Sequence, residues 1–302
     1  MNDSKSGVVF GIAAYVCWGF FPLYWPLLDP AGSLEVLAHR FVWSMVFVLI
    51  AITIMRRWRP FLDIARDRRL MLILSAASVA IAVNWGSFIW GVTNGHVIET
   101  SLGYFINPLV TVLLAVFVLK ERLRRPQWAA VGIGTIAVVV LTIDYGRLPW
   151  VALLVAFSFA IYGFLKKKAD LGAFEGLGME TAILFPVALS FLIALQLRGE
   201  LTFGHEGPGN VTLLIGTGIV TAIPLLLFGA AATRLSLTTL GILQYLGPVL
   251  QFICGLTLFG EAMTGPRWAG FVLVWLALVV FTVDAAAHRR RVLRETAEAC
   301  AI

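Results

Sequence analysis

One stretch of the chain occurs twice, 140 residues apart. Residues 121–144 read ERLRRPQWAAVGIGTIAVVVLTID, and residues 261–284 read EAMTGPRWAGFVLVWLALVVFTVD. The two copies share a glutamate, a Pro-x-Trp-Ala motif and a Thr-x-Asp motif without a gap, and Pro108 and Pro248 extend the same register. Chance seldom keeps so many residues aligned over almost forty positions. The sequence therefore predicts two related halves.

The composition places both halves in a lipid bilayer. Of 302 residues, 60% are hydrophobic and only 13% are charged, which is far from the soluble range. Apolar stretches of about 20 residues recur along the whole chain, as transmembrane helices require. A β-barrel would instead show short alternating strands. The three cysteines lie singly and give no disulfide framework.

The pattern of apolar windows and helix breakers predicts an all-α membrane protein with ten transmembrane helices in two inverted five-helix repeats. Residues 7–144 form the first repeat, residues 148–286 the second, and residues 287–302 a cytoplasmic tail. The first apolar run lacks a signal-peptide cleavage site, so we expect it to be retained. The predicted spans are 7–27, 36–55, 70–93, 98–119, 126–144, 148–165, 178–197, 211–233, 238–260 and 266–286.

The lysines and arginines predict the orientation. If the N-terminus is cytoplasmic, 19 of the 23 basic residues lie in cytoplasmic segments, and only Arg147, Arg198 and Arg267 lie in external ones. Such an imbalance predicts that both termini are cytoplasmic. It also explains the net charge of +6 without nucleic acid. Because five is an odd number of spans, the second half must be inverted relative to the first.

Paired prolines in inverted halves are typical of transporters that bind solute between the repeats. Pro108 and Pro248 lie midway along spans four and nine and should act as hinges, because each frees the carbonyl four residues earlier. A freed carbonyl in lipid must face protein, water or ligand. We therefore expect residues 104–108 and 244–248, with Asn107 among them, to line a central cavity. A kink filled by a neighbouring helix is the alternative.

Ionisable residues at the outer ends of two spans are candidates for gating or coupling. His39 and Arg40 open span two, and Glu99 opens span four on the same side. Arg40 could anchor a substrate carboxylate, with Glu99 as counter-ion or proton carrier; alternatively the two close an outer gate or simply reach the membrane surface. We hypothesise that Arg40 and Glu99 form a charge pair. Glu180 matches Arg40 in the repeat and is expected at the inner mouth.

Other polar and aromatic side chains are candidates for the cavity lining. Asn84, beside Trp85 in span three, needs a partner in a neighbouring helix or in a ligand. Deep aromatic residues could stack on a substrate, although core packing is their commoner fate. This set comprises Trp18, Trp85, Trp90, Tyr104, Tyr162 and Tyr245, and Gln244 joins it as a polar candidate. Tryptophans near span ends are predicted interfacial anchors, namely Trp25, Trp58, Trp128, Trp150 and Trp268.

The glutamates of the repeat have a structural interpretation. Glu121 and Glu261 each lie five residues before a Pro-x-Trp-Ala motif. A carboxylate in that place suits the positive end of the helix that follows, since proline is common in a first helical turn. We favour this role over a functional one.

The chain resembles the RarD family, in the EamA-type branch of the drug/metabolite transporter superfamily. The resemblance runs from about Gly7 to Asp284, although spans one and six match each other poorly. It implies a bacterial inner-membrane permease with a central cavity between the halves. The motifs that carry it are His39-Arg40, Asn84-Trp85, the run from Glu99 to Leu109 (ETSLGYFINPL), Ala232-Thr233-Arg234-Leu235 and Gln244-Tyr245-x-Gly247-Pro248.

These observations favour a secondary transporter that moves a small organic solute by alternating access. The alternatives are a polytopic membrane enzyme or a receptor without transport activity. The chain has neither a P-loop nor a common hydrolase or metalloprotease motif, and its four histidines are scattered. We therefore expect no catalytic residue, no metal and no cofactor. The expected partners are a small-molecule substrate and the lipid bilayer, without nucleic acid, and a homodimer is left open.

Overall fold

The protein is a bundle of α-helices in a computed structural model that describes residues 2–56, 58–120, 123–171, 173–235 and 237–299. No strand occurs in these ranges, which confirms the all-α fold. A 3-10 turn, Trp25–Leu28, follows the second helix. The helices are α1 (Asn2–Gly19), α2 (Phe21–Tyr24), α3 (Ser33–Met55), α4 (Trp58–Arg66), α5 (Arg68–Thr93), α6 (Val97–Leu119), α7 (Arg125–Tyr145), α8 (Trp150–Ala169), α9 (Ala173–Arg198), α10 (Gly207–Ala232), α11 (Leu237–Leu243), α12 (Leu246–Thr257) and α13 (Gly265–Ala299).

The spans agree with the multi-pass prediction. Among the described residues, nine segments are long and apolar enough to cross a bilayer. A tenth span results if Lys5–Gly19 and Phe21–Leu28, which meet at a bend of 44°, cross together. Span nine is also interrupted, because α11 ends at Leu243 and α12 begins only at Leu246. The protein is thus an integral membrane protein with nine to ten spans.

The helix contacts repeat when the two halves are exchanged. Helix α5 packs against α8 in the same way that α10 packs against α1. Likewise, α6 packs against α8, and α12 packs against α1. Three pairs join equivalent helices of the two halves: α3 with α9, α6 with α12, and α7 with α13. This pattern fits the inverted five-helix repeats.

The bundle has two ends that differ in charge. We call one the basic end, because the connections there carry most of the lysines and arginines. It holds the connections from α3 to α5, α6 to α7, α8 to α9 and α10 to α11. The opposite end holds the connections from the 3-10 turn to α3, α5 to α6, α7 to α8, α9 to α10 and α12 to α13.

Small residues let the central helices approach closely. A Cβ atom added to Gly218 on α10 would lie 2.5 Å from the carbonyl carbon of Trp43 on α3. A Cβ atom on Gly103 in α6 would lie 2.6 Å from the carbonyl oxygen of Ala152 on α8. Glycine at such contacts allows the backbone-to-backbone packing that drives helix association in lipid. The α3–α10 contact lies one turn from Arg40 and Thr221 and brings these side chains together.

The aspartates of the repeat clamp the peripheral pair α7 and α13. Asp144, at the end of α7, accepts a hydrogen bond from Arg267 Nε at 2.7 Å and another from Thr264 Oγ1 at 2.6 Å. At the other end of the pair, Asp284 of α13 accepts from Arg124 Nε at 3.0 Å. Each aspartate therefore meets an arginine near the start of the other helix. The Thr-x-Asp repeat marks this reciprocal clamp.

Glu261 has a structural role, but at a different helix from the one we predicted. Its carboxylate accepts hydrogen bonds from the backbone N–H groups of Val97 and Ile98, at the start of α6. The positive end of that helix attracts the carboxylate, whereas the sequence suggested the helix that follows Glu261 in the chain. Burial raises the pKa of this carboxyl, and the two backbone N–H groups oppose that shift. Glu121 lies outside the described residues.

Two local features depart from the sequence predictions. The segment between spans two and three contains a further helix, α4, whose Phe61 and Ile64 are buried against α3, α5 and α9. Trp25 was predicted as an interfacial anchor, which is wrong, because its side chain is only 1% exposed. The bend after Gly19 turns this segment into the bundle. There, Trp25 packs edge to face against Phe21.

Candidate functional site

The centre of the site is the guanidinium of Arg40, on the third turn of α3. The residue is only 3% exposed. Its Nε donates a hydrogen bond to Thr221 Oγ1 on α10 at 2.8 Å. The guanidinium carbon lies 3.6 Å from the ring centroid of Trp85 on α5 and 5.2 Å from that of Trp25. These rings provide cation–π contacts on a desolvated charge.

Arg40 has no acidic partner in the described part of the chain. No carboxylate there lies within 4.0 Å of its guanidinium, and the bond to Thr221 is its one hydrogen bond. The two terminal amino groups therefore retain N–H donors without an acceptor. A charge held in the membrane interior normally pairs with another group. Arg40 is therefore a candidate for binding an anion.

The hypothesised pair of Arg40 with Glu99 is wrong. Arg147, in the connection between α7 and α8, binds Glu99 instead, with NH2 2.7 Å from Oε2. The same carboxylate accepts the backbone N–H of Val151 at 3.1 Å, which caps the start of α8, and His96 lies 3.8 Å away. The bond to Glu99 raises the pKa of Arg147. Arg40 faces α5 and α10, so its charge does not reach this cluster.

The amides of the site bind neighbouring backbone rather than open space. Asn84 Nδ2 donates to the carbonyl oxygen of Val155 on α8 at 3.0 Å. Asn107 Nδ2 donates to the carbonyl oxygen of Ala156 on the same helix, also at 3.0 Å. Tyr104 Oη in turn donates to Asn84 Oδ1 at 3.1 Å. The two asparagines thus hold α8 against α5 and α6, and they fix the position of the half-buried Tyr104.

His39 and Trp18 lie near the site in other packing environments. His39 Nδ1 accepts a hydrogen bond from Trp43 Nε1 at 3.2 Å, and its ring contacts Phe203 at 4.9 Å between centroids. His39 therefore faces the α9–α10 connection at the opposite end. Trp18 of α1 packs against Phe228 of α10 at 5.8 Å between ring centroids. Neither ring is among the cation–π contacts of Arg40.

The residues around the second proline do not reach Arg40. Gln244 is exposed, and Tyr245 lies in a lateral groove of about 460 Å³ between α11–α12 and α13. Pro108 lies inside the continuous helix α6. Pro248, by contrast, lies in the first turn of α12, just after the break between α11 and α12. A first-turn proline removes no hydrogen bond within its own helix, so the two prolines differ in local structure, and their role as hinges stays a prediction.

A second buried charge cluster lies toward the basic end. Glu180 of α9 is 2% exposed, and its Oε1 lies 3.0 Å from Lys166 Nζ of α8. Tyr162 Oη donates to the other carboxylate oxygen at 3.1 Å. In the sequence, the only link between Glu180 and Arg40 is their equivalent position in the two repeats. The partner Lys166 was missed, because it reads as one of three consecutive basic residues at the end of a span.

Aromatic rings connect this cluster to the central site. Tyr104 packs edge to face on Phe159 at 5.7 Å between centroids, and Phe159 packs on Tyr162 at 6.0 Å. The series therefore runs from the Asn84–Tyr104 pair to the Glu180 carboxylate.

An apolar cavity of about 270 Å³ lies between α3, α9 and α10. On α3 it begins at Phe47 and Val48, two turns beyond Arg40. On α10 it begins at Ala222, the residue after Thr221, and continues at Leu225, one turn beyond Thr221. The cavity thus follows the same helix faces as the Arg40–Thr221 bond, toward the basic end. Among the residues that the structure describes, no group of three His, Cys, Asp or Glu side chains could hold a metal ion.

Both halves of the chain match one family of known proteins. A profile of the EamA-like transporter family matches residues 5–143 and 148–283. Protein RarD of Streptomyces exfoliatus is 52% identical over 290 residues, covering 96% of this chain and 92% of the relative. Protein RarD of Escherichia coli (strain K12) is 41% identical, covering 96% and 98% respectively. The chain belongs to the EamA-like transporter family, in its RarD branch.

Other similarities agree with this assignment. The uncharacterized transporter YojE of Bacillus subtilis (strain 168) is 40% identical over 292 residues, covering 95% of this chain and 97% of the relative. A solved crystal structure shares the fold, with a TM-score of 0.60 at 18% identity over 93% of this chain and 99% of that one. This EamA-like chain is therefore a membrane transporter.

Proposed function

We propose that the protein is a secondary transporter that moves a small organic solute between its two inverted halves by alternating access. The observation that carries this proposal is the buried guanidinium of Arg40, which lies between the halves without an acidic partner among the described residues. Thr221 binds it from the second half, and Trp85 packs on it from the first. A ligand at this point contacts both halves, as transport by their relative movement requires.

The solute carries a carboxylate and an apolar, preferably aromatic, body. The free amino groups of Arg40 can bind a carboxylate in a bidentate fashion, and the surrounding rings favour a flat apolar group. The cavity of about 270 Å³ beyond Val48 and Leu225 accepts only a small molecule. Tyr104 and Trp85 line the polar part of this site, and Asn84 orients Tyr104.

Charged clusters near the two ends act as gates. Glu99 and Arg147 join α6 to the start of α8 at the opposite end. Glu180 and Lys166 join α9 to α8 toward the basic end. If one cluster opens while the other stays closed, the central site faces one side of the membrane at a time. Pro108 provides a point of bending in α6.

The protein lies in the bacterial inner membrane with both termini in the cytoplasm. This orientation places the basic end on the cytoplasmic side, in accordance with the positive-inside rule. A cysteine introduced at Gly207 should react with an impermeant reagent in intact cells. A cysteine at Arg66 should react only after permeabilisation. The reverse pattern would contradict the orientation.

Solute flux into liposomes that contain only this protein tests the function. The probes are radiolabelled carboxylates with their amide isosteres, beginning with indole-3-acetate and indole-3-acetamide. Carboxylate uptake above the leak of protein-free liposomes, with counterflow against unlabelled carboxylate, is expected. A receptor or an enzyme would produce neither. Absence of counterflow for the whole carboxylate panel would contradict the proposal.

A further inference from the structure

The position equivalent to Arg40 in the second half carries an acid. Glu180 follows Arg40 by 140 residues and occupies the same turn of α9 that Arg40 occupies in α3. At a rise of about 1.5 Å per residue, each side chain lies about 10 Å from the start of its helix. Since the halves are inverted, the cation lies toward the opposite end and the anion toward the basic end. Equivalent positions therefore hold opposite charges.

Glu180 has one basic partner among the described residues. Lys166 contacts one carboxylate oxygen and Tyr162 the other, and both come from α8. Helices α3, α4, α5 and α10 also pack against α9. In the described ranges they place no basic side chain within 4.0 Å of the Glu180 carboxylate. Protonation of Glu180 therefore acts on a single ion pair.

Lys166 has a path to water that Glu180 lacks. Its side chain is 20% exposed, compared with 3% for the side chain of Glu180. A Cβ atom added to Gly176 would lie 1.8 Å from Lys166 Nζ, so the lysine passes over α9 at a position where that helix has no side chain. A long lysine side chain can turn its ammonium group toward the membrane surface. The pair can thus open without leaving Lys166 desolvated.

We propose that Glu180 binds the coupling proton of the transport cycle. A proton from the water at the basic end adds to the carboxylate oxygen that contacts Lys166, and Glu180 becomes neutral. The ion pair breaks, Lys166 keeps its charge and turns to water, and the end of α8 loses its side-chain link to α9 at the basic end. Loss of the proton to the same or the other side restores the pair. This inference rests on the proposed transport function.

The rings between the two charged sites explain how the proton and the solute affect each other. Movement of Tyr162 away from Glu180 displaces Phe159, and Phe159 contacts Tyr104 beside the Arg40 site. Binding of a carboxylate at Arg40 and protonation of Glu180 therefore each favour a particular arrangement of the same three rings, Tyr104, Phe159 and Tyr162. By linkage, each event changes the affinity for the other.

Accessibility of a buried residue at the end of α8 tests the proposal without a known substrate. A single cysteine at Ala169, which lies in one buried cluster with Leu177 and Met179 of α9, reports opening at the basic end in a background where Cys17, Cys254 and Cys300 are serine. We expect its reaction with an impermeant maleimide, normalised to the unfolded protein, to be at least about fivefold faster near pH 5 than near pH 8. In Glu180→Gln and in Lys166→Met the rate should be high at both pH values, because the ion pair is absent.

Infrared difference spectra between the same pH values locate the proton. The wild-type spectrum should contain a carbonyl component of a protonated carboxylic acid that the Glu180→Gln spectrum lacks, in addition to the bands that other carboxyls such as Glu261 contribute to both. Asp63→Asn is the matched control, since Asp63 is an exposed carboxylate at the same end, and it should retain both this component and the accessibility profile. Identical acid bands in the wild type and Glu180→Gln, or loss of the same component in Glu99→Gln, would overturn the proposal. So would a wild-type rate that is independent of pH.

These outcomes are separate from those of the transport assay. If liposomes show carboxylate counterflow but Glu180→Gln retains the wild-type acid band unchanged, the assignment of the proton site to Glu180 is wrong and the proposed transport function is supported. If the acid band depends on Glu180 but no carboxylate is transported, the assignment of the proton site is supported and the proposed transport function is wrong.

Discussion

Two kinds of charged site in this protein differ in their relation to the internal repeat. Asp144 and Asp284 are matched across the halves, and each has a close arginine partner, although Arg267 and Arg124 do not occupy equivalent positions. Arg40 is matched by an acid instead of a second arginine, and no described carboxylate lies within 4.0 Å of it. The repeated aspartates thus join the two halves, whereas the position that breaks the repeat holds the cation that we propose binds the solute.

The largest expected effect comes from removing that cation. Arg40→Ala should reduce carboxylate flux at least about 100-fold, which corresponds to about 2.7 kcal/mol, because the solute loses its one cationic contact. The flux of Arg40→Lys should lie between those of the wild type and Arg40→Ala, since an ammonium group keeps the charge but lacks the bidentate geometry of a guanidinium. The measurement is counterflow in liposomes at equal amounts of folded protein.

Arg198→Ala is the matched control for this prediction. Arg198 is an exposed arginine at the end of α9, so its removal should leave flux within about twofold. If Arg40→Ala transports as well as Arg198→Ala does, the free cation has no role in transport.

Breaking a matched pair should affect stability instead. Asp144→Asn removes the charge that holds Arg267, whose side chain remains half-buried, and should lower the free energy of unfolding by about 1–3 kcal/mol. Asp284→Asn should have a similar effect, because it opens the equivalent clamp. Thermal unfolding in detergent measures both changes.

Flux per folded molecule should stay within about twofold in these variants, and exchanging the charges in Asp144→Arg with Arg267→Asp should recover part of the stability. A selective loss of transport in Asp144→Asn, with unchanged stability, would place the clamp in the solute pathway.

The sequence predicted the parts of the fold that depend on hydropathy and on the repeat. These include the multi-pass bundle and its inverted halves, since an apolar window and an odd number of spans are properties of the chain alone. It did not predict the partners of Arg40 and Glu99, because these depend on how each helix is rotated about its axis. The predicted interfacial position of Trp25 was wrong for a related reason, because a bend of 44° decides whether the end of this span faces lipid or the core.

The two prolines offer a smaller contrast. Pro108→Ala should reduce flux severalfold, because α6 regains a backbone hydrogen bond and loses its point of bending. Pro248→Ala should change flux by less than about twofold, because this proline lies in the first turn of α12. Counterflow and thermal stability, measured together, separate hinge effects from folding effects. Equal losses of flux in both variants would indicate that both prolines act as hinges.

The smallest expected effect concerns Gln244. It is exposed and lies outside the described contacts of Arg40, so Gln244→Ala should leave carboxylate binding and flux within about twofold. Its repeat partner Tyr104 should be more sensitive, because Tyr104→Phe frees the acceptor oxygen of Asn84. A large loss in Gln244→Ala alone would move the solute pathway toward the lateral groove.

Binding of a matched ligand pair tests the central claim most directly. Isothermal titration of the purified protein with indole-3-acetate and indole-3-acetamide compares a carboxylate with its neutral isostere. The account predicts that the wild type binds the carboxylate at least about tenfold more tightly, a difference of about 1.4 kcal/mol, and that Arg40→Gln binds both equally. If Arg40→Gln retains the preference for the carboxylate, or if the wild type has none, Arg40 is not the anion site.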